Sequence, residues 1–132
     1  MIRGLAIMLA VTPIASQAAA APLTVPVGQS VIFKLSNGQP AKARRVAPAE
    51  RPASGEIKVT VSALMGTTMT LTNNSPVAYT FRAELVGGPP SKANRRTCTL
   101  PPKLPTLESW PAKARAVRLS NFKVASKDGS CP

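Results

Sequence analysis

The chain has 132 residues, a formal net charge of +12 from 17 Lys and Arg against 5 Asp and Glu, and no histidine. A chain of this length is the size of one domain with a single core, so one domain is expected. The missing histidine removes the commonest general base and metal ligand, and an aromatic content of 4% leaves few platforms for stacking nucleobases.

The first run, MIRGLAIMLAVTPIASQAAAAP, has a positive Arg3, an apolar stretch from Leu5 to Val11, a breaker at Pro13 and small residues at Ala18–Ala21. That order predicts a secretory signal peptide over residues 1–21, followed by a single domain over 22–132. The apolar stretch falls short of the roughly 20 residues that cross a bilayer, so no transmembrane segment is expected in the mature chain. The expected destination is the periplasm or the extracellular space.

Beyond the leader, short alternating runs predict strands, and 14 prolines in the chain argue against long helices. In QSVIFKL, Val31, Phe33 and Leu35 share one face, and Asn37-Gly38 is a strong hairpin signal. The partner strand near Ala41–Val46 is weakly patterned, and APAERPASG over 47–55 reads as a loop. EIKVTVSAL places Ile57, Val59, Val61 and Ala63 inward; after a Met65-Gly66 turn, Met69 and Leu71 follow. The strongest alternation is VAYTFRAELV, with Val77, Tyr79, Phe81, Ala83 and Leu85 inward. A short strand surrounds Cys98, and 101–111 reads as irregular. In ARAVRLSNFKVAS the inward set changes parity between Val117, Leu119 and Phe122, Val124, which predicts a bulge or tight turn at Ser120-Asn121.

Seven or so such strands predict an all-β fold, a small antiparallel Greek-key β-sandwich of immunoglobulin-like shape, with a small β-barrel as the alternative. The run MTLTNNSPVAYTFRAEL resembles the strand-turn-strand segment of immunoglobulin-like periplasmic domains such as pilus-assembly chaperones. That resemblance covers under a fifth of the chain and implies a shape rather than a family. Cys98 and Cys131 allow one intramolecular bridge, which an oxidising compartment favours. Closing a loop of that length contributes on the order of 3–4 kcal/mol and ties down a terminus that otherwise frays.

The inventory for chemistry is thin. Glu50, Glu56, Glu84, Glu108 and Asp128 are scattered, with no metal-loop pattern. Ser120 and Lys123 match the S-x-x-K spacing of serine–lysine enzymes, but in a strand that spacing places the two on opposite faces. Neither an enzyme nor a cofactor or metal is expected. Trp110 is a candidate either for sealing the core or for contacting a sugar or partner protein.

Charge bears most on partners. Lys42, Arg44, Arg45 and Arg51 form one basic cluster, Lys92, Arg95 and Arg96 a second, Lys113, Arg115 and Arg118 a third. These are the candidate anion-binding residues, because a positive surface field attracts anions and speeds their encounter. The expected partners are anionic polysaccharide, lipopolysaccharide or the membrane surface, or an envelope protein; nucleic acid is not expected. The functional expectation is a non-catalytic exported protein that binds an anionic envelope component or a protein partner. The alternative is a structural subunit or assembly factor of an envelope appendage that acts by strand pairing.

Overall fold

Turn chemistry sets the register of the larger sheet. In a computed structural model that describes residues 20–88 and 95–125, with backbone alone for 95–98, Asn37 and Gly38 sit at φ 53° and 78°. Two positive φ values in succession make a type I′ turn, whose twist matches that of the flanking strands. It joins β2 (Ser30–Ser36) to β3 (Gln39–Val46). Met65 and Gly66, at φ 53° and 110°, join β4 (Glu56–Ser62) to β5 (Thr67–Asn74), paired without a break from Glu56–Asn74 to Ser62–Thr68.

The described residues hold nine strands and no helix. The remaining strands are β1 (Leu23–Pro26), β6 (Tyr79–Val86), β7 (Arg95–Leu100), β8 (Pro105–Trp110) and β9 (Ala116–Val124). They form two antiparallel sheets, one of four strands in the order β1-β9-β6-β7 and one of five in the order β3-β2-β4-β5-β8. The inner faces meet in one sandwich-like core. Phe33, Ile57, Val59 and Leu71 come from the five-stranded sheet, and Val25, Phe81, Val117 and Leu119 from the other. The expected barrel alternative is not the fold: among the described residues no ladder joins β7 to β8 or β1 to β3, so both sheets keep their edges.

The bulge expected in the last strand is present. Between β6 and β9 the register slips from Thr80–Lys123 to Arg82–Ser120, with Asn121 at φ 54° absorbing the extra residue. Its neighbour Phe122 then turns inward against Phe33, Tyr79 and Phe81, with ring centroids 5.8, 6.4 and 5.3 Å away. A second bulge, at Lys42 with φ 54°, lies in β3 opposite Phe33.

Several expectations need correction. β1 was not expected, being four residues long and ending in Pro26. The segment expected to be irregular contains β8, whose Pro105 is tolerated because it opens an edge strand. Val124, expected inward, is 73% exposed at the end of its strand, and Ala63 is exposed just past β4. No disulfide is seen among the described residues; Cys98 stands opposite Phe81 in the β6–β7 ladder, and Cys131 and residues 1–19 of the expected leader lie outside them.

Candidate functional site

The sheet order builds a cleft. Because β2 lies between β3 and β4, the 47–55 connection must pass over β2 to enter the next strand. There it covers Ile32, an outward-parity residue between Arg44 and Lys58 that is nonetheless 0% exposed. Polar bonds hold the connection down. Lys58 Nζ donates to the carbonyl of Pro48, Asn74 Nδ2 donates to Pro52 at 2.9 Å, and the Gly55 N–H donates to Asn74 O at 2.6 Å.

A further tether is ionic. Glu56, 6% exposed, accepts from Arg44 Nη1 at 3.0 Å and from the Ala53 N–H at 2.8 Å, while Arg44 Nη2 reaches Glu50 at 3.5 Å. The hydrogen bonds from Arg44 hold the Glu56 carboxyl below the usual carboxylate range against the opposing effect of burial. The same bonds raise the Arg44 guanidinium.

Between this connection and the sheet lies a cleft of about 390 Å³, within the range of about 300–1,000 Å³ typical of small-ligand sites. Its charged lining is Glu50, Arg51, Lys58 and Lys103; Thr72 and Asn74 add polar groups from β5. Lys103 comes from the turn that carries the chain from β7 to β8. It sits at φ 64°, its N–H donates to Asn73 O at 2.8 Å, and its Nζ donates to Asn74 Oδ1 at 2.8 Å. Beneath it, Asn73 is fully buried, and its Nδ2 donates to Val77 O at 2.7 Å and Pro101 O at 3.3 Å. One side chain thus fastens both turns at this end of the sheets.

The three basic clusters read from sequence fare differently. Of the first, Arg51 lines the cleft, Arg44 anchors its roof, and Lys42 and Arg45 are exposed on the edge strand β3. Of the second, Arg95 and Arg96 stand opposite Glu84 and Ala83 in the β6–β7 ladder, and Lys92 lies outside the described residues. In the third, Lys113 and Arg115 are exposed between β8 and β9, and Arg118 pairs with Glu84 at 3.5 Å. Among the described residues the first cluster belongs to the five-stranded sheet and its 47–55 connection, whereas Arg95 and Arg118 stand on either side of Glu84 in the four-stranded sheet. Lys58 and Lys103 were missed: Lys58 carried only an outward parity and Lys103 only a proline-rich turn, and their meeting depends on tertiary structure.

Trp110 ends β8 and is 1% exposed within the core cluster, so its ring offers no outward face. The bulge at Asn121 overturns the expected parity of Ser120 and Lys123. They stand opposite Arg82 and Thr80, which share a face, so both lie on the outer side of the four-stranded sheet. No hydrogen bond joins them among the described residues, and Ser120 is 8% exposed. Among those residues there is also no cluster of three metal-ligating side chains, and no helix is long and apolar enough to cross a membrane. The chain matches no protein-family model, no curated protein and no solved structure.

Proposed function

We propose that this chain is an exported, non-catalytic protein that binds an anionic component of the cell envelope in the cleft beneath the 47–55 connection. One observation carries the reading. Arg51, Lys58 and Lys103, from three separate segments, converge on one concavity whose single acid, Glu50, is turned to Arg44. Converging cations in a walled cleft concentrate field lines and attract an anion more strongly than scattered ones. The rest of the surface supports the same partner class. Among the described residues Glu50 and Glu56 are engaged by Arg44 and Glu84 by Arg118, so cations outnumber the acids that remain.

The test is retention on an immobilised anionic polysaccharide at low salt. Retention should fall with added salt, because surface charges are screened over about 10 Å at 0.1 M. Arg51→Gln, Lys58→Gln and Lys103→Gln should each weaken it, and Lys123→Gln, on the other sheet, should not. Equal loss in all four variants would assign the effect to overall charge and reject the cleft.

Export and the Cys98–Cys131 bridge belong to the same proposal, as does an immunoglobulin-like Greek-key connectivity. Chain length supports the bridge. Val124 lies across β6 from Leu100, about 10 Å away at two strand spacings, and the seven further residues to Cys131 can span roughly 23–25 Å when extended.

Strand pairing with a partner has less to draw on. The β3 edge is broken by the Lys42 bulge and carries Pro40, Arg44 and Arg45, devices that discourage pairing. β1 is four residues long. β8 has an unbroken register with β5 and an exposed Leu107, but it opens on Pro105 and sets Glu108 on its half-buried side.

A further inference from the structure

We infer that the cleft selects a phosphate monoester over a carboxylate or an uncharged sugar; the inference rests on the anion-binding reading above and narrows it. Charge balance comes first. Arg44 and Glu56 neutralise each other, and Glu50 offsets one of the three cations Arg51, Lys58 and Lys103, which leaves the site close to +2. A phosphate monoester carries about −1.5 to −2 at neutral pH, because its second pKa is near 6. It matches that excess, whereas a single carboxylate leaves about half of it uncompensated.

Donor geometry points the same way. Lys58 and Lys103 each give one hydrogen bond to the protein, to Pro48 O and Asn74 Oδ1, and an ammonium has three donors. Two on each remain for a ligand. Arg51 makes no hydrogen bond or ion pair among the described residues, so its planar fork is available to two oxygens of a phosphate or carboxylate. A carboxylate has two oxygens to share among these groups; a phosphate monoester has three.

The cleft also lacks what other ligands need. All five aromatic residues of the chain lie in or against the core: Phe33, Phe81, Phe122 and Trp110 are buried, and Tyr79 packs against them. Sugars and nucleobases held by stacking have no ring to rest on here. Recognition must therefore act through charge and hydrogen bonds, and the part of the ligand that bears the anion is the part that is read.

A matched probe set separates these cases: glucose 1-phosphate, glucuronate and glucose, titrated into the protein by calorimetry. Glucose 1-phosphate should bind at least about tenfold tighter than glucuronate, and glucose should not bind. Its affinity should rise several-fold between pH 5 and pH 7.5 as the phosphate loses its second proton; the charged groups that face it are Glu50, Arg51, Lys58 and Lys103, with Arg44 and Glu56 behind them. Arg51→Gln should lower the affinity about tenfold with the melting temperature unchanged. Lys103→Gln gives a second reading through the other wall.

Vesicles of phosphatidylcholine with and without phosphatidic acid identify the source. Co-sedimentation with the phosphatidic acid vesicles assigns the phosphate to a lipid, and binding of glucose 1-phosphate alone assigns it to a soluble or glycan-borne group; either outcome supports the inference. Equal affinity for glucose 1-phosphate and glucuronate overturns it and leaves the anion site standing. Phosphate binding that Arg51→Gln and Lys103→Gln do not change overturns it too, by placing the phosphate elsewhere. Binding of neither probe, with no retention on anionic polysaccharide, removes both readings.

Discussion

Gly66 shows how little freedom some positions have. At φ 110° it lies outside the range of ordinary side chains, and a Cβ there would meet the carbonyl oxygen of Trp110 at 2.2 Å and that of Pro111 at 2.7 Å. Both obstacles are backbone and cannot rotate away. Gly66→Ala should therefore destabilise the fold by about 2–4 kcal/mol, combining backbone strain with overpacking. Urea unfolding measures it, and a loss below about 0.5 kcal/mol would contradict the account. Close approach here also explains why the 111–115 segment is well held. Thr67 Oγ1, one residue beyond Gly66, donates to Ala112 O at 2.9 Å and accepts from the Ala114 N–H at 3.1 Å. None of this shows in the sequence, where Met65-Gly66 signals only a turn.

Elements divide by how much of their environment is local. Ile57, Val59 and Val61 in β4, Met69 and Leu71 in β5, and Phe81 and Ala83 in β6 are all buried, because a half-buried antiparallel strand imposes a period of two that its own residues reveal. β8 conceals itself. As an edge strand it has one ladder to satisfy, so Pro105 and an exposed Leu107 cost little and the apolar alternation is lost. The 47–55 connection is legible as a loop, but its path over β2 is dictated by sheet order, and so the cleft was invisible although Arg51 was a candidate. This connection carries its own pH dependence. Glu56 is held below its ordinary value in the folded state, so its contribution is complete above the unfolded carboxylate pKa, about 4.3, and is lost as pH falls through the lower folded value. Stability should hold from neutrality down to that range and then decline. Glu56→Gln should lower stability at pH 7 and flatten the acid limb, as followed by thermal melts from pH 7 to pH 2; an unchanged limb would deny the tether its role.

At the scale of the molecule, the proposed export and the charge bear on each other. In the proposed exported form, loss of residues 1–21 takes only Arg3 from the cationic count, so the excess of cations is kept. Protein recovered from its native host should have lost the N-terminal leader and be lighter by two hydrogens at Cys98 and Cys131, a difference that intact-mass measurement under non-reducing conditions resolves. A mass that includes Met1, or two free thiols, would remove the exported reading. The site of the proposed cut would bear on the fold, since the Ala21 N–H already donates to Pro40 O at 3.0 Å. The cleft itself draws its walls from 49–52, from β4 and β5, and from Lys103, so no fragment of the chain owns it. A hairpin cut from the protein would be blind to the anion, and so would the molten or unfolded chain. Occupancy by the proposed anion would then act as a guy-rope across the finished fold: at a hundredfold excess over the dissociation constant it would add about 2.7 kcal/mol against unfolding, making the molecule hardest to melt where that anion is abundant.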